Sequence, residues 1–195
     1  MARPRFLGLP AILLTTLLSV LGGCTTIVDA TTSEPIQLNP GKRSLGMRID
    51  DSQIETIASV NINKAHPRLD ESPIDVHSYN AVVLLVGQVP NVELRSLAAK
   101  TVDAIHSVRQ VHNELEVDAP ISFMTRSHDN WLTTKVKTKL YASRDVEGGR
   151  VKVITENASV YLMGLVSRAE ADRITDIVSR TGGVERVVRV FEYID

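Results

Sequence analysis

Apolar positions in this chain follow two alternating rhythms. Ile54, Ala58 and Ile62 recur every fourth residue, which marks one face of a helix, and Asp50, Asp51 and Ser52 offer N-cap groups just before it. Ile74 and Val76 then alternate with Asp75 and His77, the period of a half-buried strand. Residues 81–87, AVVLLVG, are denser in apolar side chains, as a central strand is. Leu94, Leu97, Ala98, Thr101 and Ile105 return to helical spacing, and Val108, Val111 and Leu115 mark a last strand. The order is helix, strand, strand, helix, strand.

The same order is then written again. YNAVVLLVGQV at residues 79–89 aligns with ENASVYLMGLV at 156–166, placing Asn80 on Asn157, Ala81 on Ala158 and Gly87 on Gly164 at a spacing of 77. Leu132, Val136 and Leu140 repeat the first helix, Ala171, Ile174 and Val178 the second, and Val184, Val187 and Phe191 the last strand. SYNA and TENA are the turns between strands, because asparagine tolerates the left-handed backbone that tight turns need. The expected fold is α+β: two tandem αββαβ domains, each a small mixed three-stranded sheet with two helices on one face. Parallel last strands imply a right-handed crossover through the second helix. Gly87 and Gly164 are expected to be structural glycines, each ending a strand where a helix comes down and a side chain would force packed elements apart.

The N-terminus follows different rules. Arg3 and Arg5 precede a short apolar run, and Leu21, Gly22, Gly23 and Cys24 follow it, the arrangement of a secretory signal. That tetrapeptide resembles the bacterial lipobox, which implies lipid on Cys24, with Thr25 after it directing the chain to the outer membrane. Cys24 is the only cysteine, so no disulfide forms within the chain. Loss of Arg3 and Arg5 takes the formal charge from −1 to −3, against a general nucleic-acid binder. The expected division is a signal peptide at 1–23, a lipidated N-terminus and flexible tether at 24–49, one domain at 50–118, a linker at 119–127 and a second domain at 128–195.

The stretches VVLLVGQVPNVEL, NWLTTKVKTKL, VKVITENASVYLMGLVSRAEA and VERVVRVF resemble the BON domain, a module of bacterial envelope proteins. Two such units behind a lipobox resemble the dual-BON outer-membrane lipoproteins. The resemblance implies a non-enzymatic protein facing the periplasm of a Gram-negative bacterium and supporting outer-membrane integrity. It implies binding of anionic phospholipid of the inner leaflet through the first helix of the second domain. It also implies a link to the division site and contacts with outer-membrane assembly or division proteins.

The residues themselves hold little catalytic chemistry. His66, His77, His106, His112 and His128 have no helical metal-pair spacing, and no phosphate loop or nucleophile motif occurs, so no enzyme, metal or cofactor is expected beyond the lipid on Cys24. The two copies differ on the outward side of the first helix. Trp131, the only tryptophan, stands where the first copy has Gln53, Lys135 where it has Ile57, and Lys139 where it has Asn61. An indole suits the membrane interface and lysines draw anionic headgroups. Trp131, Leu132, Lys135, Lys139 and Tyr141 match the family's phospholipid-binding positions: insertion for Trp131 and Tyr141, attraction for the lysines, partial support for Leu132. Two placements of Trp131 stay open, outward or packed on the first domain, and Ile57 is a candidate interdomain contact. Ile121, Phe123 and Met124 either seal the domain junction or extend the membrane-facing patch. The alternative function is a protein–protein scaffold held at the membrane by its acyl group alone.

Overall fold

The helices begin earlier than the apolar periodicity suggests, because serine hydroxyls upstream supply the caps. In the computed structural model, which describes residues 41–195, α1 spans Leu45–Ala65 and its N-cap is Ser44, whose hydroxyl accepts from the Met47 N–H at 3.2 Å. The signal segment, Cys24 and most of the expected tether lie outside the described residues. A short helix α2 at Pro67–Asp70 leads to β1 (Ile74–Tyr79) and β2 (Val82–Val89), then α3 (Val92–Asp103) and the short strands β3 (Gln110–Asn113) and β4 (Glu116–Val117). The second copy has α4 (Phe123–Ala142), β5 (Lys152–Glu156), β6 (Ser159–Val166), α5 (Arg168–Ser179) and β7 (Arg186–Tyr193). Ser122 caps α4 as Ser44 caps α1, so Phe123 and Met124 are helical rather than linker.

Each domain is the expected mixed sheet. β2 lies at the centre, antiparallel to β1 and parallel to β3 and β4; β6 likewise lies between antiparallel β5 and parallel β7. In the first domain the third strand is interrupted at residues 114–115, where Leu115 turns into the core. Ile54, Ala58, Ile62, Leu94, Ala98 and Val102 pack from the helices onto Val76, Val83, Leu85 and Val89 of the sheet. Leu132, Val136, Leu140, Ala171, Ile174 and Val178 repeat this on Val153, Val160, Leu162 and Val166.

The remaining sheet faces meet each other. Tyr79, Val82, Leu84 and Val86 pack against Ile154, Tyr161, Met163, Leu165 and Val190 in a third core that belongs to neither domain alone. The layers therefore run helix, sheet, sheet, helix, and β2 and β6 are buried along their whole length. Units of this size bury little surface singly, and the shared core supplies what each lacks.

Asp50 and Asp51 do not cap α1. Asp51 sits in its second turn, buried, and accepts from the Ser78 hydroxyl at 2.7 Å and the N–H groups of Ala81 and Asn80 at 2.9 and 3.0 Å. Asp129 does the same for Asn157 and Ala158 at 2.8 and 3.0 Å. Both turns hold two successive left-handed residues: Asn80 and Ala81 at φ +53° and +62°, Asn157 and Ala158 at +47° and +57°. That conformation costs alanine roughly 1–2 kcal/mol. Charge-assisted hydrogen bonds from a buried carboxylate offset it. Burial alone would raise the Asp51 carboxyl, but the bonds from Ala81, Ser78, Asn80 and Arg43 outweigh it and hold Asp51 below its ordinary value.

The two glycines lie inside their strands, not at the ends, and the crowding comes from backbone just ahead of the neighbouring strand: Pro73 before β1, and Arg150, which closes a short 3-10 helix at Gly148–Arg150, before β5. A Cβ on Gly87 would stand 2.0 Å from the Pro73 carbonyl oxygen, and its φ is +119°. A Cβ on Gly164 would meet the Arg150 carbonyl oxygen at 3.1 Å.

Candidate functional site

The outer face of α4 gathers most of the expected residues. At 100° per residue, Phe123, Met124, Ser127, Trp131, Thr134, Thr138 and Tyr141 fall within a sector of about 100°. Four of them are large and exposed: Phe123 by 83%, Met124 by 75%, Tyr141 by 66% and Trp131 by 54%. Trp131 is thus not held between the domains. The opposite face of α4 buries Leu132, Val136 and Leu140 in the second core, which fixes how the helix is rotated. Leu132 is fully buried and meets no external ligand; its contribution is support from behind.

Cations border this face. Arg126, Lys135, Lys137 and Lys139 are the charged residues of α4 apart from Asp129, and Asp129 is buried. The Lys135 ammonium lies 4.6 Å from the Trp131 ring centroid and donates to the Gly182 carbonyl at 2.7 Å. Lys139 donates to the Arg180 carbonyl at 3.4 Å. These carbonyls belong to the turn just beyond α5, so loop backbone holds both lysines along one border of the face. Each ammonium has three donors, and one carbonyl leaves capacity for another acceptor. The His128 ring lies 5.7 Å from the Trp131 ring.

The first domain does not present the same surface. α1 exposes Leu45, Ile49, Ile57 and Val60, all aliphatic, and its cations Arg48 and Lys64 are offset in charge by Asp50 and Glu55. Ile57 is 44% exposed on the outer layer and takes no part in the shared core, so the expected interdomain contact is not made there. That junction is polar at its margin: Lys152 pairs with Glu55 at 2.5 Å, and Asn80 donates to Glu192 at 2.8 Å.

The undecided residues divide. The Ile121 N–H donates to the Gln88 side-chain oxygen at 3.2 Å, while the Gln88 amide donates to Glu156 at 2.6 Å, so Ile121 belongs to the junction. Phe123 and Met124 extend the exposed stripe of α4. Sequence periodicity missed them because the serine cap three positions from Thr125 was the only sign that the helix had already begun.

Among the described residues no cluster of three metal-ligating side chains occurs. His66 caps α2, its Nδ1 accepting from the Arg68 N–H at 3.1 Å. Burial, with Lys152 nearby, holds His77 below the ordinary histidine range, and burial does the same for His112. No helix among the described residues is long and apolar enough to cross a membrane.

Comparison with known proteins supplies the family. The BON domain matches residues 50–119 and again 128–195. Outer membrane lipoprotein DolP of Haemophilus influenzae is 37% identical over 175 residues, 90% of this chain and 91% of that one. The 21 kDa hemolysin of Actinobacillus pleuropneumoniae is 35% identical over 152 residues, 78% of each chain. Osmotically-inducible protein Y of Escherichia coli is 27% identical over 154 residues, 77% of this chain and 76% of its own.

Proposed function

We propose, from the premise that this chain belongs to the BON-domain family and carries two copies of the domain, that it is a lipoprotein of the Gram-negative outer membrane whose α4 docks on anionic phospholipid. Acylation at Cys24 attaches it to the inner leaflet, facing the periplasm, and the second contact is made by α4. The likeness to the outer membrane lipoprotein of Haemophilus influenzae supports the location. The reading is non-enzymatic: the protein supports outer-membrane integrity, at the division site, in company with assembly or division proteins.

The observation that carries the lipid reading is the half-exposed Trp131 on a face bordered by Lys135 and Lys139. Indole and phenol rings partition to the headgroup level, with the ring in the acyl boundary and the polar atom wet. Each lysine near an acidic surface contributes about 1 kcal/mol. Such a contact is weak alone and effective beside an acyl anchor, which makes it intramolecular.

Vesicle binding tests the reading on the mature chain with Cys24→Ala, so that no acyl group contributes. Phosphatidylglycerol vesicles shift Trp131 fluorescence to the blue, the affinity falls with added salt, and Trp131→Glu abolishes binding while Gln53→Glu leaves it unchanged. Equal binding to neutral vesicles, or indifference to Trp131→Glu, favours the scaffold reading. The aliphatic face of α1, formed by Leu45, Ile49, Ile57 and Val60, is what supports that second reading.

A further inference from the structure

We infer that residues 41–43, which precede the first domain, act as a strap holding the two domains in one mutual orientation. Arg43 reaches back to form an ion pair with Asp51, and its guanidinium stacks 3.5 Å over the Tyr79 ring. The Tyr79 hydroxyl donates to the Arg150 carbonyl of the second domain at 2.6 Å. Two residues earlier, Gly41 is buried against that same residue: a Cβ there would lie 1.8 Å from the Arg150 Nη1 and 3.2 Å from the Leu165 carbonyl oxygen. Arg150 is itself fixed by both Glu170 oxygens at 3.2 Å and by Glu147 at 3.1 Å. The segment therefore spans from one domain to a rigid arginine in the other.

A second observation has the same form with the domains exchanged. Ser122 is the counterpart of Ser44, each an N-cap, and Ile121 stands where Arg43 does. The Ile121 N–H bonds Gln88, and Gln88 in β2 is the counterpart of Leu165 in β6. Each domain's lead-in thus rests on the central strand of the other domain, at equivalent residues. The linker does this between the domains; residues 41–43 do it from the membrane-anchored side of the chain. Anything that draws the lead-in away from Arg150 works against the shared core, so attachment and interdomain packing are coupled. This holds whatever α4 binds.

Hydrogen exchange on the mature lipidated chain in detergent micelles tests the strap. In Arg43→Ala, exchange rises about tenfold in peptides covering residues 41–48 and, across the junction, in those covering 147–151 and 160–165. Gly41→Val, which leaves Arg43 intact, produces the same pattern from the other side, and Arg43→Lys, which keeps the charge but not the planar stack, falls between. If Arg43→Ala loosens only α1 and the turn at residues 80–81, the arginine serves the first domain alone and the strap is wrong. It is equally wrong if Gly41→Val leaves residues 41–48 as protected as in the parent.

Discussion

The Asp129 carboxylate accepts the Ala158 N–H at 3.0 Å and holds that alanine at φ +57°. The acid sits on the helix that presents Trp131, and the turn it grips joins the two strands beneath. The inner side of α4 is thereby tied to the sheet by a carboxylate as well as by leucine packing.

Asp129→Asn is expected to lower stability by about 1–3 kcal/mol. An amide keeps one neutral acceptor for one of the two N–H groups and turns a donor toward the other. The urea midpoint falls while the slope stays constant.

The two strand glycines are expected to differ. Gly87→Ala places a methyl group on the Pro73 carbonyl at a left-handed position, costing about 3 kcal/mol or more. Gly164→Ala meets its nearest oxygen at 3.1 Å and costs about 1 kcal/mol. Thermal melts of the two variants, compared side by side, check the order.

Glu156 gives a pH signature. Burial pushes its carboxyl above the ordinary value, and Asp75 and Asp129 add to this; the Gln88 amide and Arg126 only partly offset it. A carboxyl raised in the folded state costs stability once pH rises above its unfolded value, near 4.5. Below that pH both states are protonated and the cost vanishes. Glu156→Gln therefore raises the melting temperature at pH 7 and leaves it unchanged at pH 3.5. Asp51 acts with the opposite sign, since its lowered carboxyl stabilises the fold at neutral pH and loses that contribution as pH falls below about 4.

Phe123 and Met124 are expected to add to membrane affinity without supporting the fold. Both changed to serine lower binding to phosphatidylglycerol vesicles about tenfold or more, given roughly 1.5–3 kcal/mol for each large side chain fully buried. The melting temperature stays within a degree or so, because neither side chain is packed. Leu132→Ser has the reverse profile: the protein unfolds at lower temperature, as loss of a fully buried leucine requires.

Much of the fold was legible in the residues. Repetition of Ile54, Ala58 and Ile62 by Leu132, Val136 and Leu140 identified both first helices, since a buried helical face needs apolar side chains at that spacing. Asn80 and Asn157 marked the hairpin turns. Helix starts were not legible, because one serine hydroxyl among many decides where the first unpaired N–H groups are satisfied. The role of Asp51 is hidden in the sequence for a related reason. A carboxylate one turn into a helix looks like a cap until the turn it actually serves, about 30 positions downstream, folds back beside it.

The sequence by itself determined the duplicated unit, the interior positions and the aromatic and cationic character of one outer face. These follow from local periodicity, which depends only on which residues neighbour each other along a helix or strand. Tertiary structure alone decided that the two sheets share a core, that Ile57 faces solvent, and that Gly41 and Ile121 reach the opposite domain. Those contacts join residues far apart in the chain, and β2 and β6 are apolar on both faces whatever they meet. Only packing reveals that what each meets is the other.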